Sequence, residues 1–400
     1  MDESLQQTGD TALVPAASPM TEANNATPAD AVLAALEHAE GLTRSELSSN
    51  TGLPHSTVNT VVRRLLKSGS VEEFKHATST GGRRPSLLRV TSHGNAAFVA
   101  ELGQHHARTG VVGLDGELLA VEDLSLDIAA GQDATLELLA DVWKNMAANI
   151  PVPIVAAGLA VPGPVDEHGC VRGAARMPGW NDLDLPQALG EATGLPAIIE
   201  NDARASAIGE WAVRGEHNDS CIYVKAGAGI GCGWISGGVV HRGTLGFAGD
   251  ITHVRVQTED AKPCSCGNSG CLETLASGAA IVRQLRTLGV DITRPEDMVA
   301  LAKNGDPQVT ALVRSAGARL GEVLSGLVNF LNPKRLVIGG SMSQMSALLA
   351  GLRTELYDRC LPMCTAQLSI ETSQAGADAP LIGLSVLARQ LTNQRRRRSE

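Results

Sequence analysis

Apolar residues recur at helical spacing over the first stretches of the chain and at strand spacing afterwards, and that change divides the sequence. In PADAVLAALEHAE, residues 28–40, Val32, Leu33 and Leu36 share one helical face. A short helix around Leu47 follows, with Thr43 as N-cap and Glu46 three residues on to complete a capping box. Gly52-Leu53-Pro54 breaks it. Ser56 is placed to cap the next helix, whose buried side is Val58, Val61, Val62, Leu65 and Leu66 and whose end is Gly69. VEEFKHATSTGGRRPSLLRV then reads as two short strands joined at Gly81-Gly82. Helix, helix, turn, helix, hairpin is the order of a winged helix-turn-helix, expected over residues 29–92. Residues 1–28 carry Ala, Thr, Ser, Pro and acids without period, which predicts a disordered tail.

Past Thr91 short apolar runs alternate with helical ones. Three runs flank turns at Gly103 and Asp115-Gly116, and TLELLADVWKNMAANI is amphipathic. IVAAGLAVPGPVD and LPAIIEND read as strands, ARASAIGEWAVRG as a helix, and CIYVKAGAGIGCGWISGGVV as a strand pair about a glycine turn. A long helix over about 309–331 precedes RLVIGGSMS, a strand that ends on two glycines. Glycine turns at strand ends in both halves predict two α/β lobes with a cleft between them. Their expected bounds are 96–204, completed by a C-terminal helix at about 381–394, and 205–380.

Composition adds little to this, but charge changes it. The chain of 400 residues is acidic, at −10. Over residues 41–90, however, eight Lys and Arg face three Glu, so that segment is +5 and the remainder −15. A basic island on a predicted winged helix is an electrostatic footprint for DNA. His55, Ser56, Thr57, Asn59 and Thr60 fall at the start of the second helix of the motif, where side chains reach base edges. Arg63 and Arg64 follow one turn later toward phosphates, and Arg83 and Arg84 occupy the hairpin tip. Arg395 to Arg398 read as a solvated tail in preference to a phosphate contact. No run of about 20 uncharged apolar residues occurs, and MDESLQQTGD lacks an apolar leader core, so a cytoplasmic protein without a membrane segment is expected.

Cys264, Cys266 and Cys271 lie within eight residues of one another, among glycines. Three thiolates so close suit a tetrahedral zinc, with His253 the nearest upstream histidine for the fourth position. The other five cysteines read as small core residues.

PGPVD (162–166), ENDA (200–203), AGAGIG (226–231), AGDITH (248–253) and CSCGNSGCLET (264–274) together resemble the ROK family of repressors, unclassified frames and sugar kinases. The resemblance covers about residues 97–390. With the winged helix it points to the family's transcriptional regulators, of the xylose and N-acetylglucosamine repressor type. It implies two actin-like (ribonuclease-H-like) lobes, a structural zinc and a sugar effector in the cleft. It places sugar contacts on Asn201, Asp202, Glu273 and Asp250, where Asp250 is one methylene shorter than the usual Glu, and zinc with sugar-site ordering on His253. In the kinases the position of Asp202 is the catalytic base.

The kinase phosphate turn Asp-Ile-Gly-Gly-Thr-Lys is Glu101-Leu102-Gly103-Gln104-His105-His106 here, and a second turn carries Ala228 where the kinases have Thr. The late Gly339-Gly340 turn is retained and reads foremost as a strand-to-helix turn. A sugar half kept beside an eroded phosphate half predicts a sensor, not an enzyme: a regulator, foremost a repressor, with double-stranded operator DNA and a sugar or sugar phosphate as partners, working as a homodimer or tetramer. The alternatives are an active ATP-dependent sugar kinase with a DNA-binding head, and a DNA-binding scaffold with a vestigial pocket. Trp180, beside Pro178-Gly179, is placed either to stack on a sugar or to pack.

Overall fold

The computed structural model describes residues 27–37, 41–67, 71–76, 86–90, 94–172, 177–215, 219–259 and 261–399. The chain forms two compact units, residues 1–91 and 92–400.

In the first unit three helices, α1 (Pro28–Glu37), α2 (Arg44–Thr51) and α3 (His55–Lys67), precede an antiparallel pair, β1 (Val71–His76) and β2 (Ser86–Val90). The capping box forms as its sequence requires. Thr43 Oγ1 accepts from the Glu46 amide, and the Glu46 carboxylate accepts from the Thr43 amide at 2.7 Å. Gly52 ends α2 at φ +69°, a left-handed stop that glycine adopts without a Cβ clash. Val32, Leu36, Leu47, Val58, Val62 and Leu88 close a core around α3. Ser56 is not the cap of α3: the helix begins one residue earlier, and the Pro54 carbonyl already accepts from the Val58 amide. Pro54 therefore holds the position just before the helix, and its carbonyl accepts the first bond of α3. The first helix is described from Pro28 to Glu37 and so begins within the expected tail; the tail through residue 26, Gly69 and the hairpin tip with Arg83 and Arg84 lie outside the described residues.

The second unit holds two five-stranded sheets of one plan. The first is made of β3 (Ala96–Leu102), β4 (His106–Gly113), β5 (Leu118–Ser125), β6 (Ile154–Val161) and β7 (Ala197–Asn201). Helix α4 (Gln132–Ala147) lies between β5 and β6 in sequence, and α5 (Leu185–Thr193) between β6 and β7. After α6 (Asp202–Arg214) come the antiparallel strands β8 (Cys221–Ala226), β9 (Ile230–Ser236) and β10 (Val239–Val240). Helices α7 (Leu272–Ala276), α8 (Gly278–Thr287), α9 (Asp297–Lys303) and α10 (Pro307–Leu331) lead to β11 (Arg335–Gly339). The chain ends with α11 (Ser346–Arg359), α12 (Pro362–Thr365), β12 (Ser369–Thr372) and α13 (Ala379–Ser399). The sheet orders are β5-β4-β3-β6-β7 and β10-β9-β8-β11-β12, so both run 3-2-1-4-5 in order of appearance. In each, three antiparallel strands continue into two parallel ones.

Helices α6 and α13 pack closely together. Gly209 and Gly383 make that possible, since a Cβ at either would fall within 2 Å of a carbonyl on the other helix. Leu381, Leu384 and Ala388 of α13 bury against the first sheet, while Ala207 and Ile208 of α6 bury against the second. The outer faces are covered by α4 and α5 on one side and by α7 to α11 on the other.

A candidate ligand cleft, a cysteine cluster and a DNA-binding face

A cleft of about 1290 Å³ runs between residues of the two sheets, and part of its wall is built from side chains. Asn201 closes β7 and caps α6. Its Oδ1 accepts from the Ala203 and Arg204 amides at 3.1 Å each, and its Nδ2 donates to the Gly163 carbonyl and to Asp202 Oδ1. Both lone pairs and both amide hydrogens are therefore engaged, so a ligand hydroxyl reaches Asn201 only by displacing one of them. Asp202, in the first turn of α6, takes the Ala203 amide on Oδ1 at 2.8 Å and Lys225 Nζ on Oδ2 at 2.6 Å.

Behind these residues stands a buried network that the sequence did not announce. Glu200 and Arg204 are each 2% exposed. Arg204 binds Glu200 at 2.7 Å and donates to the carbonyls of Gly246 and Val165, joining α6 to two loops that line the cleft. Arg242 takes the other Glu200 oxygen at 2.7 Å and 2.9 Å. Charges buried this far persist only when they are paired and bonded throughout, and this one is. The available signal was ENDAR itself, with the acid and the arginine four apart on adjoining elements.

Glu273 enters the cleft from the first turn of α7, where its carboxylate accepts from the Ile230 amide at 3.2 Å. Thr252 anchors the neighbouring loop by donating to the Ile230 carbonyl at 2.6 Å. Asp250 lies on that loop, exposed, with no side-chain partner among the described residues. Trp180 does not reach the cleft: it is fully buried and donates Nε1 to the Ile128 carbonyl at 3.0 Å. Packing, with a partner for its one polar atom, settles its place.

His253 adjoins Cys264, Cys266 and Cys271, and the four ligand atoms all lie within 4.8 Å of one another. Cys264 Sγ is 3.5 Å from His253 Nδ1, and the sulfurs of Cys266 and Cys271 are 3.6 Å apart. Tetrahedral ligands at zinc bond lengths stand roughly 3.3–3.8 Å apart, and both of these distances fall in that range, with a donor set that suits the ion. Backbone donation from Asn268 pulls the Cys266 thiol down, while burial pushes Cys271 up to about 12. A bound cation would reverse the second effect and hold both as thiolates. Cys360 and Cys364 do not share a helix face, since α11 ends before the first.

Another stretch of the cleft wall is made of turns. Gly103 donates its amide to the His106 carbonyl at 2.7 Å, and the His106 ring fills the space above it, where a Cβ would meet the imidazole at 2.2 Å. Gln104 is exposed and also lines the cleft, while the His106 ring is the group that covers Gly103. Gly339 and Gly340 are required by packing. A Cβ on the first would strike the Tyr223 hydroxyl at 1.9 Å, and the second has φ +80° with the Ala226 carbonyl 2.3 Å from the Cβ position.

In the first unit, His55, Ser56, Asn59, Thr60, Arg63 and Arg64 form the exposed side of α3, with Thr57 half-buried at its edge. Arg44 and Arg89 of the basic island are bound to Glu73 and Glu72 on β1, at 2.8 Å and 2.6 Å. The cations that α3 presents outward are thus Arg63, Arg64 and Lys67.

No described helix is long and apolar enough to cross a membrane. A winged helix-turn-helix DNA-binding profile matches residues 31–72, and the ROK family profile matches residues 98–391. The xylose repressor of Bacillus spizizenii is 29% identical over 350 residues, 86% of this chain and 90% of that one. Among solved structures, a ROK family transcriptional regulator, a homologue of the E. coli Mlc protein, superposes with TM-score 0.75 at 25% identity, over 91% of this chain and 95% of its own. A ROK glucokinase from Streptomyces griseus, in complex with glucose and AMPPNP, gives 0.67 at 26% identity over 74% of this chain and 99% of its own. The expected winged helix followed by an actin-like α/β body is the architecture found. With its family profile spanning most of the chain, the protein belongs to the ROK family.

Proposed function

We propose that the chain is a sugar-responsive transcriptional regulator, a repressor of carbohydrate genes whose operator affinity falls when a sugar occupies the cleft. The observation that carries this reading is one chain joining an exposed polar and basic α3 face to a cleft whose ligand groups are carboxylates. His55, Ser56, Thr57, Asn59 and Thr60 then meet base edges, Arg63 and Arg64 meet phosphates, and Arg83 and Arg84 extend the contact. Asp202, Asp250 and Glu273 accept sugar hydroxyls, and Asn201 orients Asp202. Zinc on His253, Cys264, Cys266 and Cys271 acts structurally, clamping the loop that carries Asp250 next to the α7 turn that carries Glu273. Residues 29–92 form the DNA head, 96–204 with 381–394 one lobe, and 205–380 the other. A homodimer places two heads on one operator at fixed half-site spacing. The sugar changes operator affinity only as far as it binds the two states of the body differently.

The test is DNA binding by anisotropy, using the protein's own promoter region at several salt concentrations. Arg64→Ala weakens binding by about 1 kcal/mol across sequences and lowers the salt slope by about 1. Absence of salt-sensitive binding with and without sugars overturns the proposal. A second reading, an active sugar kinase, is favoured by the likeness to the glucokinase. Against it stand the His106 ring over Gly103 and the Lys225 ammonium on Asp202. ADP release above background across a sugar panel would establish it.

A further inference from the structure

Trp180, the aromatic residue that the sequence offered for stacking on a sugar, is buried, and the cleft holds a different ring. Among the described residues three aromatic side chains are exposed: Phe247 at 43%, Tyr357 at 59% and Phe330 at 84%. Of these, Phe247 alone lines the cleft. Tyr223 lines it too, but is 1% exposed. Phe247 therefore keeps an open ring in the cavity that Asp202, Asp250 and Glu273 also line.

A single exposed phenylalanine on a loose surface loop would mean little. This one stands on a tied loop. Gly246 before it is buried, its carbonyl accepts from Arg204 at 2.6 Å, and a Cβ there would collide with the Val165 carbonyl. After it, the Ala248 amide donates to the Arg242 carbonyl at 3.0 Å, and a Cβ at Gly249 would collide with the Cys232 carbonyl of β9. The Phe247 carbonyl itself accepts from the Asp250 amide at 3.1 Å, so one turn sets both the ring and that carboxylate. The main chain is held on both sides while the ring is left open. Leu245, two residues back, is 68% exposed and does not line the cleft, which makes it a natural control. A pyranose carries hydroxyls around its rim and C–H bonds across its faces. Carboxylates satisfy the rim, and a flat apolar ring is the partner that suits a face. An open-chain polyol carries comparable hydroxyls and presents no such face.

We propose that Phe247 is a ligand-contacting residue, the platform on which a ring face of the effector stacks, and that the effector is therefore a cyclic sugar and not an open-chain polyol. This rests on the sugar-sensing reading and adds a contact and a shape to it. Titration calorimetry on the full chain tests it, with D-glucose, D-xylose and N-acetyl-D-glucosamine set against their alditols, sorbitol, xylitol and N-acetylglucosaminitol. The expected result is a cyclic sugar bound about tenfold tighter than its alditol, and a Phe247→Ala protein that binds the sugar about tenfold more weakly and has lost that preference. Phe247→Trp keeps the affinity, Phe247→Leu, apolar but without a ring face, does not recover it, and Leu245→Ala binds as the wild type. A second readout needs no loss of affinity. The chain has four Phe, so labelling with 4-fluorophenylalanine gives four 19F resonances, that of Phe247 being the one missing in Phe247→Leu. The cyclic sugar moves this resonance and leaves that of Phe98, which stacks on Trp143. A sugar that binds with the Phe247 resonance unmoved, or that binds Phe247→Ala as it binds the wild type, overturns the inference alone. So does an alditol bound as tightly as its sugar. A cleft that takes none of the three sugars overturns the sugar-sensing reading and this inference with it.

Discussion

The carboxylates and the glycine turns of the cleft are built on different principles. On the proposed reading recognition resides in the carboxylates, and the elements that carry Asp202 and Asp250 are held by buried groups. Glu200, Arg204 and Arg242 fix the start of α6 and the loops at Val165 and Gly246, and Thr252 ties the Asp250 loop to β9. In the turns the residues retained are glycines, and they serve the fold whether or not anything binds. Gly340 must be glycine because of its φ and the carbonyl behind it, and Gly339 because Tyr223 lies against it. A retained glycine turn is therefore weak evidence of a phosphate site. A carboxylate that faces the cleft and rests on a buried network is stronger evidence of a ligand site, because the network fixes where that carboxylate stands.

That contrast is open to attack at four places. The proposed zinc site is the hardest test: Cys271→Ser should abolish zinc uptake, read by elemental analysis. It should also lower stability on the order of 5 kcal/mol, a part of what zinc contributes in peptides that fold only around it. Arg204→Met leaves Glu200 buried with one partner fewer and should cost about 3–5 kcal/mol in denaturant unfolding. Its sugar affinity should fall too, whereas a merely distant core residue would leave affinity intact. Asp202→Asn should reduce sugar affinity by about 10- to 100-fold, the worth of one hydrogen bond to a charged acceptor, with little change in melting temperature. Smallest of the four, Gly340→Ala in the turns should lower stability by more than about 1 kcal/mol and leave sugar affinity alone. If it changes sugar affinity and not stability, the division between carboxylates and turns is wrong.

Much of this was legible beforehand. The 3.6-residue period around Val58, Val61, Val62 and Leu65 marks α3, and the Thr43/Glu46 pair its predecessor's start, because both are local consequences of backbone geometry. The cysteine cluster was legible for the same reason, since three of its ligands lie within one short loop. Ser56 as a cap was not, because Pro54 had already set the helix start. Trp180 beside a glycine turn offered two equal readings, and only its neighbours chose packing. Asp202 was marked by ENDA, but its link through Lys225 to Glu101 went unseen: 124 and 23 residues separate Lys225 from its two partners, and nothing in the local sequence couples them.

Sequence alone determined the elements, their order, the DNA-binding motif and the cysteine loop, since each depends on interactions spanning a few residues. It also placed the charge, a basic island in an acidic chain. Tertiary structure decided which of those charges are spent. It paired Arg44 and Arg89 with β1 acids, leaving Arg63, Arg64 and Lys67 outward on α3. It buried Arg204 on Glu200, and it brought Lys225 from one sheet onto Glu101 of the other. Electrostatic energy depends on distance and burial, not on separation along the chain, so the charge that matters in the cleft appears only once the two sheets face each other.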